Sequence, residues 1–244
     1  VSTGLQVADA TWPEVDRRRR AGAVAILPVG AACKAHGRHL PLNTDQIQAE
    51  ALGRFLAEQL DVVVWPTVTY GYYPAFTTYP GSCSVSAGTF TALATDILSC
   101  ICTTGPGAVA VINTGISTIG PLRQVIAAGS VGPVSLVNIY EGKSYTELAK
   151  RIGEQTRGGH ADELETSIML ALRPQQVDLN LARAWDSQPV KGRFNRLDPD
   201  DPGYSPDGIY GNPALATADK GHRLLEAIRT DVLAAVRSLQ VTAS

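Results

Sequence analysis

Residues 26–45, ILPVGAACKAHGRHLPLNTD, end an apolar run in Pro28-Val29-Gly30. Within the next fifteen positions they set one cysteine, one lysine, two of the chain's four histidines and a closing aspartate. Ionisable groups crowded just past an apolar run read as a buried strand that delivers a loop to a functional site. Upstream, residues 23–27 suit a strand covered on both faces. Downstream, Thr44-Asp45 is placed to cap a helix in which Ile47, Ala51, Leu52, Phe55, Leu56 and Leu60 recur at helical spacing.

The same alternation continues along the chain. Residues 62–65 read as a second strand, and Phe90, Leu93, Ala94, Ile97, Leu98 and Ile101 as one face of a helix broken by Gly105-Pro106-Gly107. Strands follow at 108–112 and 133–140, with a helix near 120–128 between them. Helices are expected at 145–155, at 163–172 and from about 213 to 239. Strands alternating with helices predict an α/β fold in three layers, αβα, around a mostly parallel sheet, in a single domain spanning 1–244. Ligands of such sheets bind beyond the carboxyl ends of the strands, which directs attention to the loops after the first and third of these strands. The stretch 70–84, rich in Tyr, Thr, Pro and Gly, suits a pocket wall or a subunit contact.

Composition narrows the classes. With 44% hydrophobic and 18% charged residues the chain is an ordinary globular one, and no apolar run is long enough for a membrane span. A net charge of −2 offers nucleic acid no basic footprint, and the run Arg17 to Arg20 reads as the solvated face of an amphipathic helix. Cys33, Cys83, Cys100 and Cys102 form no C-x-x-C pair, and no leader is visible, so a cytoplasmic protein with reduced thiols is expected.

His36 and His39, with Asp45 close behind, could bind a divalent metal, transfer protons, or serve as hydrogen-bonded structural groups. Pro28-Val29-Gly30, His36-Gly37-Arg38-His39-Leu40-Pro41 and Thr44-Asp45 resemble the L-P-x-G-S-x-E-Q-H-G-x-H-L-P-x-x-T-D signature of the creatininase (creatinine amidohydrolase) family. The resemblance continues in Tyr70-Gly71, in Pro80-Gly81-Ser82, in His160-Ala161 with Glu165-Thr166-Ser167, and in Gly208 to Pro213. It implies an α/β hydrolytic enzyme, usually hexameric, in which two divalent metals activate water against an amide. The ligands it implies are kept at His36 and Asp45 only. The glutamate of E-Q-H-G falls on Lys34, the histidine of the Asn-Gly-His loop on Gly115, and the following acid near Ser117.

An ammonium beside Asp45 repels cations, so no binuclear centre is expected. At most a weak single zinc or manganese would bind, through His36 and Asp45 with Glu165 or His160. Lys34 could take over the metal's charge, act as a base or form a Schiff base, or simply neutralise Asp45. The expected catalytic set is Lys34, His36, Asp45, His160 and Glu165, with His160 or a neighbouring acid as proton donor to the leaving nitrogen. His39, Tyr70, Tyr72, Ser117 and Asp162 are the expected substrate contacts, and Cys33 is a remote nucleophile candidate. The substrate would be a small amide, lactam or cyclic guanidine-like molecule, turned over by hydrolysis, cyclisation or dehydration in a homo-oligomer. The other readings are an inactive subunit that binds a ligand or partner, and a single-metal amidohydrolase.

Overall fold

The computed structural model describes residues 3–242 apart from 130, 187 and 191, so the expected domain span of 1–244 begins and ends outside them. In chain order the elements are β1 (Leu5–Gln6), α1 (Trp12–Arg20), β2 (Val24–Val29), α2 (Thr44–Gln59), β3 (Val62–Val64) and α3 (Ala87–Cys102). They continue with β4 (Val109–Asn113), α4 (Ile119–Ala127), β5 (Val134–Asn138), α5 (Lys143–Ile152), α6 (Glu163–Leu172) and α7 (Ala218–Thr242). The five strands form one all-parallel sheet in the order β1-β3-β2-β4-β5.

Strand pleating sorts the side chains into two cores. Val24, Ile26, Val62, Val64, Ala110 and Ile112 point to one face, where Leu52 and Leu56 of α2, Leu148 of α5, Ile168 of α6 and Leu224 and Val232 of α7 cover them. Ala25, Leu27, Val29, Val109 and Val111 point to the other, against Phe90 and Leu98 of α3 and Leu122 and Val125 of α4. Each fully buried leucine among these contributes about 1.5–3 kcal/mol, and together they make the expected three layers.

Four details differ from the sequence reading. The edge strand β1, only two residues long, carries no period to detect. Strand β2 runs on through Pro28, although proline is disfavoured in a central strand. Ile26 O and Pro28 O accept from Trp65 N and Val68 N, so the even positions face β3, which ends at Val64. The missing Pro28 N–H therefore leaves no ladder partner stranded.

Third, the basic run of α1 is not wholly solvated, because Arg19 is fully buried. Its guanidinium donates to Ala23 O, to Gly105 O and Gly107 O at 3.3 and 2.8 Å, and its Nε to Thr104 Oγ1 at 3.0 Å. It ties α1 to the entrances of β2 and β4. Fourth, α7 begins at Ala218, after a 3-10 turn at Pro213–Leu215. Lys220 in its first turn is buried, bonding Glu163 Oε1 at 2.6 Å, Leu215 O at 3.0 Å and Glu154. Gly221 lets α7 approach α6 so closely that a Cβ there would lie 1.8 Å from Ser167 O. These contacts fix α6, and with it the residues at its N-terminus.

Candidate active site

The strand order reverses between β2 and β4, and the crevice beyond their carboxyl ends is where such sheets bind ligands. Gly30 closes β2 there. A Cβ on it would stand 2.4 Å from Asp45 O and 2.8 Å from Thr114 Oγ1, so only glycine lets the three segments meet. Thr114 Oγ1 donates to Val29 O at 3.1 Å and to Asp45 O at 2.9 Å, pinning the start of α2 to the ends of both strands. Thr44 and Asp45 were expected to cap α2, but the preceding position is Asn43, and Asp45 lies in the first turn with its carboxylate turned inward.

Asp45 is buried and meets two partners: Lys34 Nζ at 2.6 Å from Oδ2, and His36 Nε2 at 3.1 Å from Oδ1. Burial alone would raise its pKa, but the ammonium of Lys34 and the His36 ring outweigh that and hold it well below the usual carboxylate range. His36 Nδ1 lies 2.8 Å from Lys34 O, a contact that requires a proton on Nδ1. Its Nε2 faces Asp45 and, at 3.8 Å, Glu165 Oε1, both acceptors when ionised. That position calls for a second proton on the ring or for a metal ion in its place.

His160 arrives from the loop before α6. Its Nε2 donates to Ala35 O at 2.8 Å, which leaves the Nδ1 lone pair facing Glu165 Oε2 at 3.8 Å. Burial, then Lys34 and His36, push its pKa well below the ordinary value, which favours the neutral ring. The ligand atoms of His36, His160 and Glu165 all lie within 4.8 Å of one another. Glu165 Oε2 accepts from Ala161 N at 2.7 Å, and Tyr140 OH stands 3.4 Å from Oε1. Ala161 itself, at φ 48°, is the one non-glycine residue in the left-handed region among the described residues. Such a conformation costs about 1–3 kcal/mol, and here it aims the amide at the carboxylate.

These groups floor a cavity of about 490 Å³. Lys34, Ser117, His160, Asp162 and Glu165 line it, so five of the ten expected site residues border one cavity. His36 and Asp45 sit just beneath them. Asp162 caps α6 by accepting from Leu164 N and Glu165 N, each at 3.0 Å, and burial pushes its pKa up to about 6. Tyr72 lies on the far side of the Lys34–Asp45 pair in a recess of about 10 Å³, near the lower limit for one water. Tyr70 is 51% exposed and does not line the cavity. His39 is buried behind the site, with Nε2 2.9 Å from Thr166 Oγ1.

Phe76 belongs to the stretch expected to wall a pocket, whereas the other aromatic wall residues were not anticipated. Phe76 stacks 4.3 Å from His160 with Lys34 Nζ 5.5 Å above its ring, and Tyr140, Tyr145, Phe194 and Tyr210 complete the aromatic surface. Tyr140 had a signal in the sequence, since it lies two residues past β5 and so at the same sheet edge. Tyr210 lies in the Gly208 to Pro213 segment that carries part of the resemblance, but Phe194, in the Pro- and Gly-rich stretch 186–213, had no signal.

Buried His39, partly buried His160 and buried Asp162 set opposite pH slopes. His39, held down to about 4 by burial, and His160 must be charged against the fold as pH drops. The stability they lend is complete above about 6.5 and fades toward pH 4, by about 3 kcal/mol for His39. Asp162, raised to about 6, gains over the same interval and offsets part of this loss. Chemical denaturation between pH 7 and 4 should therefore show a net fall in stability. His39→Gln should fall less steeply than the parent chain; equal slopes would show that His39 does not titrate with unfolding.

The family model described as creatinine amidohydrolase matches residues 8–236. Creatinine amidohydrolase of Pseudomonas putida is 27% identical over 259 residues, covering 97% of this chain and 98% of its own. A mycofactocin precursor peptide peptidase of Mycolicibacterium smegmatis is 27% identical over 208 residues, 82% of this chain and 79% of its own. A crystal structure of creatinine amidohydrolase aligns with TM-score 0.78 at 25% identity, covering 98% and 99% of the two chains. A zinc–zinc form of a creatininase variant aligns at 0.76 and 26%, covering 98% of each.

Proposed function

The chain belongs to the creatininase family, and from that premise we propose that it is an acid–base enzyme for a small nitrogenous substrate, working without a binuclear metal centre. The carrying observation is the 2.6 Å contact between Lys34 Nζ and Asp45 Oδ2. A fixed ammonium now stands against the carboxylate that the resemblance makes a metal ligand. Gly115 and Ser117, where two further ligands would fall, offer no imidazole and no carboxylate. Two divalent ions do not fit such a donor set.

The substrate is an amide, lactam or cyclic guanidine-like molecule, taken into the aromatic-walled cavity. Lys34 faces the carbonyl oxygen and stabilises the negative charge that develops there, in the way of an oxyanion site. Glu165, oriented by Ala161 N, takes a proton from the attacking water or substrate nitrogen and returns it to the leaving atom. His160 accepts through Nδ1, while His36 and Asp45 hold Lys34 in place. The same positioned groups serve a cyclisation or dehydration equally well. The chain is taken as one domain that assembles as a homo-oligomer, hexameric by resemblance, in the cytoplasm. Among the described residues no helix is long and apolar enough to cross a membrane.

A second reading, a single-metal amidohydrolase, is favoured by one specific observation. His36 Nε2 and His160 Nδ1 both turn toward Glu165 while their other nitrogens are committed to the carbonyls of Lys34 and Ala35. That is the outer-shell arrangement of metal-binding histidines. Plasma mass spectrometry of the purified chain, with turnover of an amide, lactam and ureide panel before and after chelator, separates the readings. Far less than one metal per chain and chelator-resistant turnover are expected. One tightly held ion, lost in Glu165→Gln together with activity, would establish the metal enzyme instead. A chain inert to the whole panel in both states would favour a binding subunit.

A further inference from the structure

The loop that carries Lys34 is sewn to the 69–83 segment by three hydrogen bonds. Ala32 N donates to Thr69 O at 3.0 Å, Cys83 N to Cys33 O at 2.9 Å, and Ala35 N to Ser82 Oγ at 2.9 Å. The middle bond joins two cysteines, and both are free. A 2.9 Å bond from the backbone N of one residue to the O of another keeps their Cα atoms within about 7 Å. Disulfides span Cα separations of about 4.4–6.8 Å. Both sulfurs also lie near one side chain: after burial, Cys33 and then Cys83 are the next causes that push the Tyr73 hydroxyl up. Cys83 is exposed and Cys33 half-buried, an arrangement of one accessible thiol and one waiting behind it.

We propose that Cys33 and Cys83 are a reversible modification site, closing to an intrachain disulfide that staples the Lys34 loop to the cavity-wall segment. The oxidant is a peroxide or a small-molecule disulfide. With peroxide, the Cys83 thiolate attacks one oxygen, giving a sulfenic acid and releasing hydroxide, which takes up a proton to become water. Cys33 then attacks that sulfur and the sulfenic oxygen leaves as a second water. Two thiols are oxidised and one peroxide is reduced. With a disulfide such as oxidised glutathione, Cys83 forms a mixed disulfide and releases one thiol, and Cys33 displaces the second. Ala75 and Phe76, which belong to the 69–83 segment and line the cavity, would be held in place with the loop.

Cys100 and Cys102 provide an internal control. Both lie on α3 two positions apart, where side chains do not face each other, and they have no route to a mutual bridge. Purified full-length protein is treated with oxidised glutathione, remaining thiols are alkylated, and peptides are mapped by mass spectrometry. The expected product has lost two hydrogens, joins the peptides holding Cys33 and Cys83, reverts with dithiothreitol and leaves Cys100 and Cys102 alkylated. Separate glutathione adducts on Cys33 and Cys83, or a crosslink between two chains, would overturn the proposal.

Cys83→Ser, at an exposed position, should carry no crosslink at Cys33, and the same two-hydrogen loss in that variant would equally overturn it. Hydrogen exchange at residues 31–37 should slow on oxidation, and unchanged exchange would remove the stapling role. None of these readouts uses turnover or metal content, so the result stands apart from the catalytic reading.

Discussion

Lys34→Met is expected to cost about 3–5 kcal/mol of stability at neutral pH and to abolish turnover. Methionine keeps the length and apolar stem but strips the ammonium from a pair whose side chains are 8% and 1% exposed. Breaking a buried pair leaves the remaining charge unsolvated, a loss of that size, against a typical total of about 5–15 kcal/mol for a folded domain. The sign with pH follows from Asp45. Its pKa is depressed in the folded chain, so its stabilisation is present above its ordinary value of 3.8 and lost as pH falls through and below it. The deficit of Lys34→Met should therefore be largest at neutral pH and shrink in acid. Denaturation curves at pH 7 and pH 3.5 provide the comparison. A variant as stable as the parent at pH 7 would show that the contact contributes nothing net, and retained turnover would remove Lys34 from catalysis.

Gly221→Ala should be more damaging to the fold than its small size suggests. Alanine in a helix interior gains about 1 kcal/mol over glycine, but here the new methyl would overlap the Ser167 carbonyl oxygen at 1.8 Å. Backbone oxygen cannot rotate away, so α6 and α7 must part. Overpacking of this kind typically costs about 1–3 kcal/mol and more when main chain is displaced, so the clash wins. The expected result is a chain largely insoluble, or with a melting temperature well below the parent's. Gly120→Ala, on α4 with nothing within 4 Å of the new Cβ, should instead be neutral or slightly stabilising. Equal behaviour of the two variants would show that the α6–α7 contact is not limiting.

Strand and helix positions were legible because burial writes a period into the sequence. Residues 24–29 and 109–112 are covered on both faces and appear as unbroken apolar runs, while α2 and α3 show helical spacing. The candidate cluster was legible for another reason, since His36, Asp45, His160 and Glu165 fall inside motifs that resemble those of the family. Lys34 stood out against the same motif. Charged residues with distant partners were not legible. Arg19 and Lys220 look like solvent-facing side chains until Gly107, Glu154 and Glu163 are brought to them by the fold. The aromatic wall was partly legible: Phe76 lies in a conspicuous cluster and Tyr210 in a motif-bearing segment, but Phe194 comes from irregular chain whose path is set by tertiary contacts. Tyr70 was misleading because an aromatic beside a motif need not face the same way as the motif.

The contacts that build the site also determine when it can exist. His160 reaches Ala35 across 125 residues and His39 reaches Thr166 across 127, so the cluster closes some of the longest loops in the chain. Such contacts are slow to form, and they bring no return until the intervening sheet is in place. The helix that clamps α6, through Lys220 and Gly221, also leaves the ribosome after every other described element. A growing chain therefore carries Lys34, Asp45 and both early histidines for most of its synthesis without the residues that complete the site. Activity should be among the last properties acquired during folding and among the first lost on local opening of α7.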